Sequence, residues 1–345
     1  MVTVLYAGTD EGVVTIRSSG GGWEASRPAL AAWEICGVAA QPSYPNVVFA
    51  ATRGDGVWRS QDCGESWQKP SYGKRAPGKV RCVTPDPTDE RTLYAGAEPI
   101  DVFVSHDAGT TWECLDSLWD EPFVGSVVYP VAVVEPHVRD IAVDPTDSNV
   151  MYAALQVGYM LKTTDGGRTW KLLNKNVDAD VHTIRLNPRD PSNVLIATGG
   201  HDARLGKAPG KALYRSADGG ETWQPMAAGF QQEYSVPLEI DQANPRVAFA
   251  GLANGTPGSW KRPTGAEGIL VRTTDGGETW HEVDTGLPKG SAPMAIGIAF
   301  DPADSRNVYA ALHDGHLIAS HDGGDSWKQL EVRVPRPNSL KCVRV

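Results

Sequence analysis

The chain has 345 residues, a formal net charge of −10, and charged residues at 21% against hydrophobic ones at 41%. That acidic balance argues against a nucleic-acid partner, and no stretch approaches the roughly 20 apolar residues of a membrane span. Five cysteines without paired spacing, Cys36, Cys63, Cys82, Cys114 and Cys342, together with an N-terminus that leads straight into a strand-like segment, point to a reducing, cytoplasmic location.

Taken in chain order, MVTVLYAGT and GVVTIRS read as two strands, and RSSGGGW ends at Trp23. The pattern [ST]-x-D-x-G-x-[ST]-W then occurs six times: SQDCGESW, SHDAGTTW, TTDGGRTW, SADGGETW, TTDGGETW and SHDGGDSW, ending at Trp67, Trp112, Trp170, Trp223, Trp280 and Trp327. Successive tryptophans lie 44, 45, 58, 53, 57 and 47 residues apart, the period of a four-stranded propeller blade with variable loops. The expected fold is all-β, a single seven-bladed β-propeller over residues 1–345. Blade one takes 1–30 plus 339–345, and the others take 31–72, 76–120, 136–178, 179–230, 231–288 and 289–335.

Each box explains itself without a ligand. The carboxylates of Asp62, Asp107, Asp165, Asp218, Asp275 and Asp322 can accept backbone N–H groups of their own turns, and the Gly supplies a positive φ. One carboxylate per box is too few for calcium, which takes six to eight oxygens. A second repeat, seen in VTPDPTDERTLYAGA and IAVDPTDSNVMYAAL, reads as strand, Pro-containing turn and strand. Because strands alternate direction, these turns and the boxes share one face of the ring. The variable loops share the other, where function is expected to sit. The C-terminal SLKCVRV resembles the inner strand GKVRCVTPDP and supplies the strand that blade one lacks, closing the ring.

Several loops of the variable face are basic: Lys69, Lys74, Arg75, Lys79 and Arg81 in one, Arg333, Arg336 and Lys341 in another, Lys261 and Arg262 in a third. A basic mouth on an acidic protein predicts an anionic ligand. Aligning VRCV, VRDI, VHTI and LKCV places Arg81, Arg139, His182 and Lys341 at equivalent positions near that mouth. His137, His182, His201 and His313 map to the same end, and a divalent transition metal at the top of the channel is the cofactor they would hold, with Asp140, Asp202 or Asp314 completing the shell. Independent hydrogen-bonding histidines are the alternative. Tyr72, Trp119, Tyr234 and Trp260, with Trp33, supply aromatic surface suited to a flat polar ligand. The ligand-binding set is therefore Arg81, Arg139, His182, Lys341, His201, Asp202, Trp119, Trp260 and His313. Candidates for acid–base work are His182, His137, Tyr234 and Asp140.

The boxes make the chain resemble the BNR/Asp-box repeat superfamily, with its sialidases, xyloglucan-degrading glycosidases, sortilin-type ectodomains and photosystem II assembly factor. The single seven-bladed domain looks most like the assembly-factor and glycosyl hydrolase-like branch. The arginine triad and R-I-P signature of sialidases are not matched; the similar string RVP, Arg333 to Pro335, follows the last box. Two functions follow from the resemblance and the rim: a non-catalytic binding or assembly propeller that docks an anionic small molecule, acidic carbohydrate or protein partner, or a carbohydrate-active enzyme, hydrolase-like or a metal-assisted lyase, acting on acidic oligosaccharides. Neither requires nucleic acid or a membrane.

Overall fold

The computed structural model describes residues 2–130, 134–261, 265–287 and 292–345. Among them seven sheets form, antiparallel but for one added edge segment, and the inner strand of each contacts the inner strands of its two neighbours, so the blades close into a ring. The inner strands are Pro337–Arg344 in blade one, then Ile35–Gln41, Lys79–Pro85, Val138–Asp144, Val181–Leu186, Tyr234–Ile240 and Ala295–Phe300 in blades two to seven. Small residues such as Ala50, Ala51, Ala153, Ala154, Ala310 and Ala311 fill the second strands and are fully buried, which lets the sheets stack closely around the axis. Among the described residues no helix is long and apolar enough to cross a membrane.

Closure joins the two ends of the chain. Pro337–Arg344 pairs antiparallel with Thr3–Thr9, and Val2 and Val345 exchange backbone hydrogen bonds of 2.7 and 3.1 Å. Arg344 then reaches the next blade, where its guanidinium meets the Asp301 carboxylate at 2.6 Å.

The boxes are turn staples. Asp165 accepts from the N–H groups of Arg168 and Thr169 (3.0 and 2.9 Å) and from the hydroxyls of Thr163 and Thr169 (2.8 and 2.7 Å). Gly167, at φ 83°, returns its N–H to the Thr163 hydroxyl. Asp62, Asp107, Asp218, Asp275 and Asp322 likewise accept both the N–H and the hydroxyl of the Ser or Thr four residues on. The box tryptophans pack toward the preceding blade: Trp112 shares a core cluster with Phe49, Ala51 and Val57, and Trp327 meets Phe249 edge-on at 5.8 Å.

Blade two has three strands, because the following segment Ser71–Tyr72 runs parallel to the outer strand Thr111–Cys114 of blade three. The outward backbone groups of Val57–Ser60 are nevertheless satisfied. Arg59 exchanges bonds with Gln68, and the Tyr72 hydroxyl accepts from the Val57 N–H at 2.8 Å. Tyr72 is thus a strand surrogate beneath Gly56 rather than part of a ligand platform.

One irregularity recurs in every blade. Each inner strand carries a β-bulge near its start, leaving one seat out of the ladder: Asn338, Cys36, Arg81, Arg139, His182, Val236 and Ile296 in blades one to seven, with Pro237 also unpaired in blade six. A bulge bends the strand and re-aims its unpaired side chain. Here six of the seven seats turn toward one recess at the channel mouth.

Candidate ligand-binding mouth

The axial channel has a volume of ≈ 390 Å³ and runs from these seats to Pro42, Pro87, Pro145 and Pro188 in the turns at the box end. Above it lies a recess of ≈ 90 Å³, walled by Arg81, Arg139, Cys36, Val236, Ile296 and Asn338, with Tyr234 and Trp260 alongside. The register corrects one sequence expectation. Ser339 lies opposite Gly8 as Cys82 lies opposite Gly96, so the equivalent of Arg81 is Asn338, and Lys341 sits three residues further along the channel. Lys341 is exposed to the channel there, near the level of Arg185 and Glu239.

Arg81 is almost fully buried and paired with Glu98, whose side chain is inaccessible; Lys79 reaches the other Glu98 oxygen at 2.7 Å, and His137 lies 3.9 Å away. Burial alone would raise the Glu98 carboxyl, but the Lys79 hydrogen bond and the Arg81 charge outweigh it and hold it below the ordinary range. The Arg81 Nε–H is buried without an acceptor among the described residues. Arg139, half-buried at the next seat, has neither a hydrogen-bond nor an ion-pair partner among the described residues.

The broad basic rim expected from the loops is largely neutralised. Lys69 pairs with Asp55, Arg75 with Asp101 and Asp116, and Lys79 with Glu98, while Arg333 donates to the Asp314 carbonyl and Arg336 lies 3.9 Å from Asp10. These carboxylates belong to turns of the same face, so the acids sit among the bases. Arg262 lies outside the described residues. The cationic character of the mouth is therefore narrow, centred on Arg139 beside Arg81.

The histidines are held by hydrogen bonds, two of them through a shared Gln156. His137 Nδ1 lies 2.9 Å from the Glu135 carbonyl, and its Nε2 2.6 Å from Gln156. Gln156 also contacts the Tyr129 hydroxyl (3.2 Å) and His182 Nε2 (3.3 Å). His182 Nδ1 faces the Ser235 carbonyl at 2.7 Å, and Nε2 faces Asp180 at 3.1 Å. His313 Nδ1 accepts from the Met294 N–H at 3.0 Å. His137 and His182 have both ring nitrogens engaged and His313 has one, and among the described residues no three His, Cys, Asp or Glu side chains converge as a metal site.

What the histidines build is an aromatic row: His182, Tyr234, Trp260 and His313 follow at centroid distances of 5.0, 5.6 and 5.3 Å. Trp260 donates its Nε1–H to the carbonyls of Asn254 and Gly255 (3.1 and 3.2 Å). Three expected site residues lie elsewhere. Trp119 is on the short 3-10 helix Asp116–Asp120 and donates to Asp101 at 3.0 Å. His201 and Asp202 start the four-residue helix His201–Arg204, where Asp202 accepts from the Tyr159 hydroxyl at 2.9 Å. Asp140 is no free base either. It accepts from Arg185 (2.9 Å) and from the N–H groups of Ile184 (2.9 Å) and Ile141 (3.1 Å). Burial works against the Arg185 charge, but Glu239 and Asp140 outweigh it and keep the guanidinium protonated.

Glu98, Gln156 and Asp180 were missed. Glu98, Gln156 and His313 occupy one equivalent position, the residue after the buried second-strand positions Ala97, Leu155 and Leu312. A polar residue closing a run of small apolar ones was the available signal.

Burial, reinforced by the Arg81 charge, pushes His137 down to about 4. The unfolded chain then binds the extra proton first, so stability should be full above pH 6.5 and fall by on the order of 2–3 kcal/mol as pH drops to about 4. Hydrogen bonds from the Ser66 hydroxyl to Asp62, and from the Thr169 N–H to Asp165, hold these carboxylates at about 2. Their stabilisation should disappear in a second window below pH 4. Denaturant titrations of wild type and His137→Gln across pH 3–8 check this; an unchanged slope between pH 4 and 6.5 in the variant would count against it.

Two family descriptions match the chain: Sortilin, neurotensin receptor 3, over residues 100–249, and the BNR/Asp-box repeat over 271–282. Xyloglucanase Xgh74A of Acetivibrio thermocellus is 28% identical over 158 residues, 42% of this chain but 17% of that enzyme, so the matched part spans less than a fifth of it. The photosystem II assembly lipoprotein Ycf48 of Trichormus variabilis is 26% identical over 172 residues, 41% of this chain and 47% of that protein. Among solved structures, a GH74 enzyme of Niastella koreensis superposes with a TM-score of 0.64 at 16% identity, covering 86% of this chain and 45% of that one. YCF48 from Cyanidioschyzon merolae gives 0.56 at 17% identity, covering 86% and 84%. With six intact boxes and seven sheets arranged in a ring, the chain folds as a seven-bladed β-propeller, and one of its boxes lies in the segment that matches the BNR/Asp-box repeat.

Proposed function

We propose that this propeller is a binding module whose channel mouth holds the anionic group of a ligand or protein partner. The observation that carries the reading is the Arg139 guanidinium, unpaired among the described residues, on the recess wall beside Arg81. A carboxylate bound in the recess would give the Arg139 guanidinium a charged partner. A YCF48 propeller bound to a D1 peptide, which this chain resembles in fold, lends support to a protein partner.

The enzymatic reading, cleavage of acidic oligosaccharides, draws on the xyloglucanase matches. Glycoside hydrolysis needs two available carboxyl groups across the sugar. Near the mouth Glu98 and Asp180 are buried, and Glu34 is paired with Arg53 at 3.1 Å, so the geometry favours binding.

Calorimetric titration of wild type and Arg139→Ala with an acidic peptide and an oligogalacturonate at low salt tests the proposal. The variant should bind about tenfold or more weakly, the loss expected for a hydrogen bond to a charged group. Equal affinity would remove the mouth as the anion site, and release of shortened sugars would establish the enzymatic reading instead.

A further inference from the structure

We infer that the mouth selects a small monocarboxylate carrying a compact apolar body. This rests on the reading of the mouth as an anion site and names the ligand class. The seven bulge seats are alike in backbone but not in chemistry. Cations occupy blades three and four, and Val236 and Ile296 occupy blades six and seven. In a seven-membered ring the seat of blade three faces the gap between blades six and seven, so Arg81 and Arg139 stand opposite Val236 and Ile296, while blades one and two add Arg336, Asn338 and Glu34, the last paired with Arg53, along the side between them.

The apolar wall is built rather than incidental. Val236 and Ile296 pack on a cluster of Tyr234, Trp260, Ala253, Ala266 and Met294 that is separate from the blade cores. Since the Trp260 N–H is already satisfied by two carbonyls, that side chain needs no polar group from a ligand. The cationic wall offers planar guanidinium donors, which match a carboxylate geometrically. A ligand spanning the ≈ 90 Å³ recess therefore meets fixed donors at one end and carbon at the other. A sugar acid would satisfy the first wall and press its hydroxyls against Val236 and Ile296, which return no hydrogen bonds.

The test is a calorimetric titration at low salt of wild type, Arg139→Gln and the double variant Val236→Ser/Ile296→Ser, with 3-phenylpropionate, 3-phenylpropanamide and glucuronate. Thermal unfolding of each variant verifies the fold, and Val236→Ser alone replaces the double variant if that one fails to fold. Wild type should prefer 3-phenylpropionate to both other probes by about tenfold or more. Arg139→Gln should lose that affinity, and the serine variant should weaken 3-phenylpropionate while leaving any glucuronate binding unchanged. Glucuronate binding as tightly as 3-phenylpropionate, with both depending on Arg139, would overturn the apolar selectivity and leave the anion site standing. Binding of 3-phenylpropionate that ignores Arg139→Gln would overturn the anion site itself and this inference with it.

Discussion

A chain ending at Arg336 should fail to form the closed, monomeric ring. The deleted segment is the inner strand of blade one, and it carries the buried Leu340, Cys342 and Val343 together with the Arg344–Asp301 pair. At about 1.5–3 kcal/mol for each large buried side chain, the packing alone forfeits roughly 5 kcal/mol, comparable to the whole stability of many domains. The exposed Thr3–Thr9 ladder would then be open to pairing with other molecules. Sedimentation and chemical unfolding of the truncated chain should report association and loss of a cooperative transition. A peptide of residues 337–345 added in trans should restore part of both. A monomeric truncation with an unchanged unfolding midpoint would show that closure is dispensable.

Glu98→Gln should cost roughly 3–5 kcal/mol, the range for removing one partner of a buried ion pair. The substitution keeps the shape of the side chain but leaves Arg81 nine-tenths buried without its counter-charge, and Lys79 loses the same partner. Its effect on binding should have the opposite sign. With Arg81 no longer neutralised, carboxylate affinity at the mouth should rise in whatever fraction remains folded. Adding Arg81→Met should recover much of the stability and abolish the gain in affinity. Urea unfolding with calorimetry on the single and double variants separates the two effects; destabilisation accompanied by weaker carboxylate binding would mean that Glu98 serves the mouth in another way.

The fold was legible because its signal is repeated. Six boxes with a fixed internal spacing report their own turns through local hydrogen bonds, as Asp165 does with residues no more than four away. Ring closure was readable from the strand that blade one lacked. Its register was not. Matching Cys342 to Cys82 put Lys341 at the mouth, whereas pairing with Gly8, over 330 residues distant, puts Asn338 there. Local spacing carries no information about such a partner. The rim was misread for a related reason: the charges of Lys69 and Arg75 stand out in a line of text, but the carboxylates that cancel them arrive from Asp55 and Asp101 through the fold. Strand alignment and loop length singled out Arg139 and Trp260, and both line the recess.

The bulges have a consequence for how such a molecule diversifies. A residue in an ordinary ladder position answers to a cross-strand neighbour, so changing it disturbs a pair. A bulge seat has no opposite number in its ladder. Exchanging the side chain at blade four need not be accommodated at blade three or five, and the boxes at the far end of the channel are untouched by either. Specificity at the mouth can therefore be rewritten one blade at a time, like a six-wheel combination whose housing is the same for every setting.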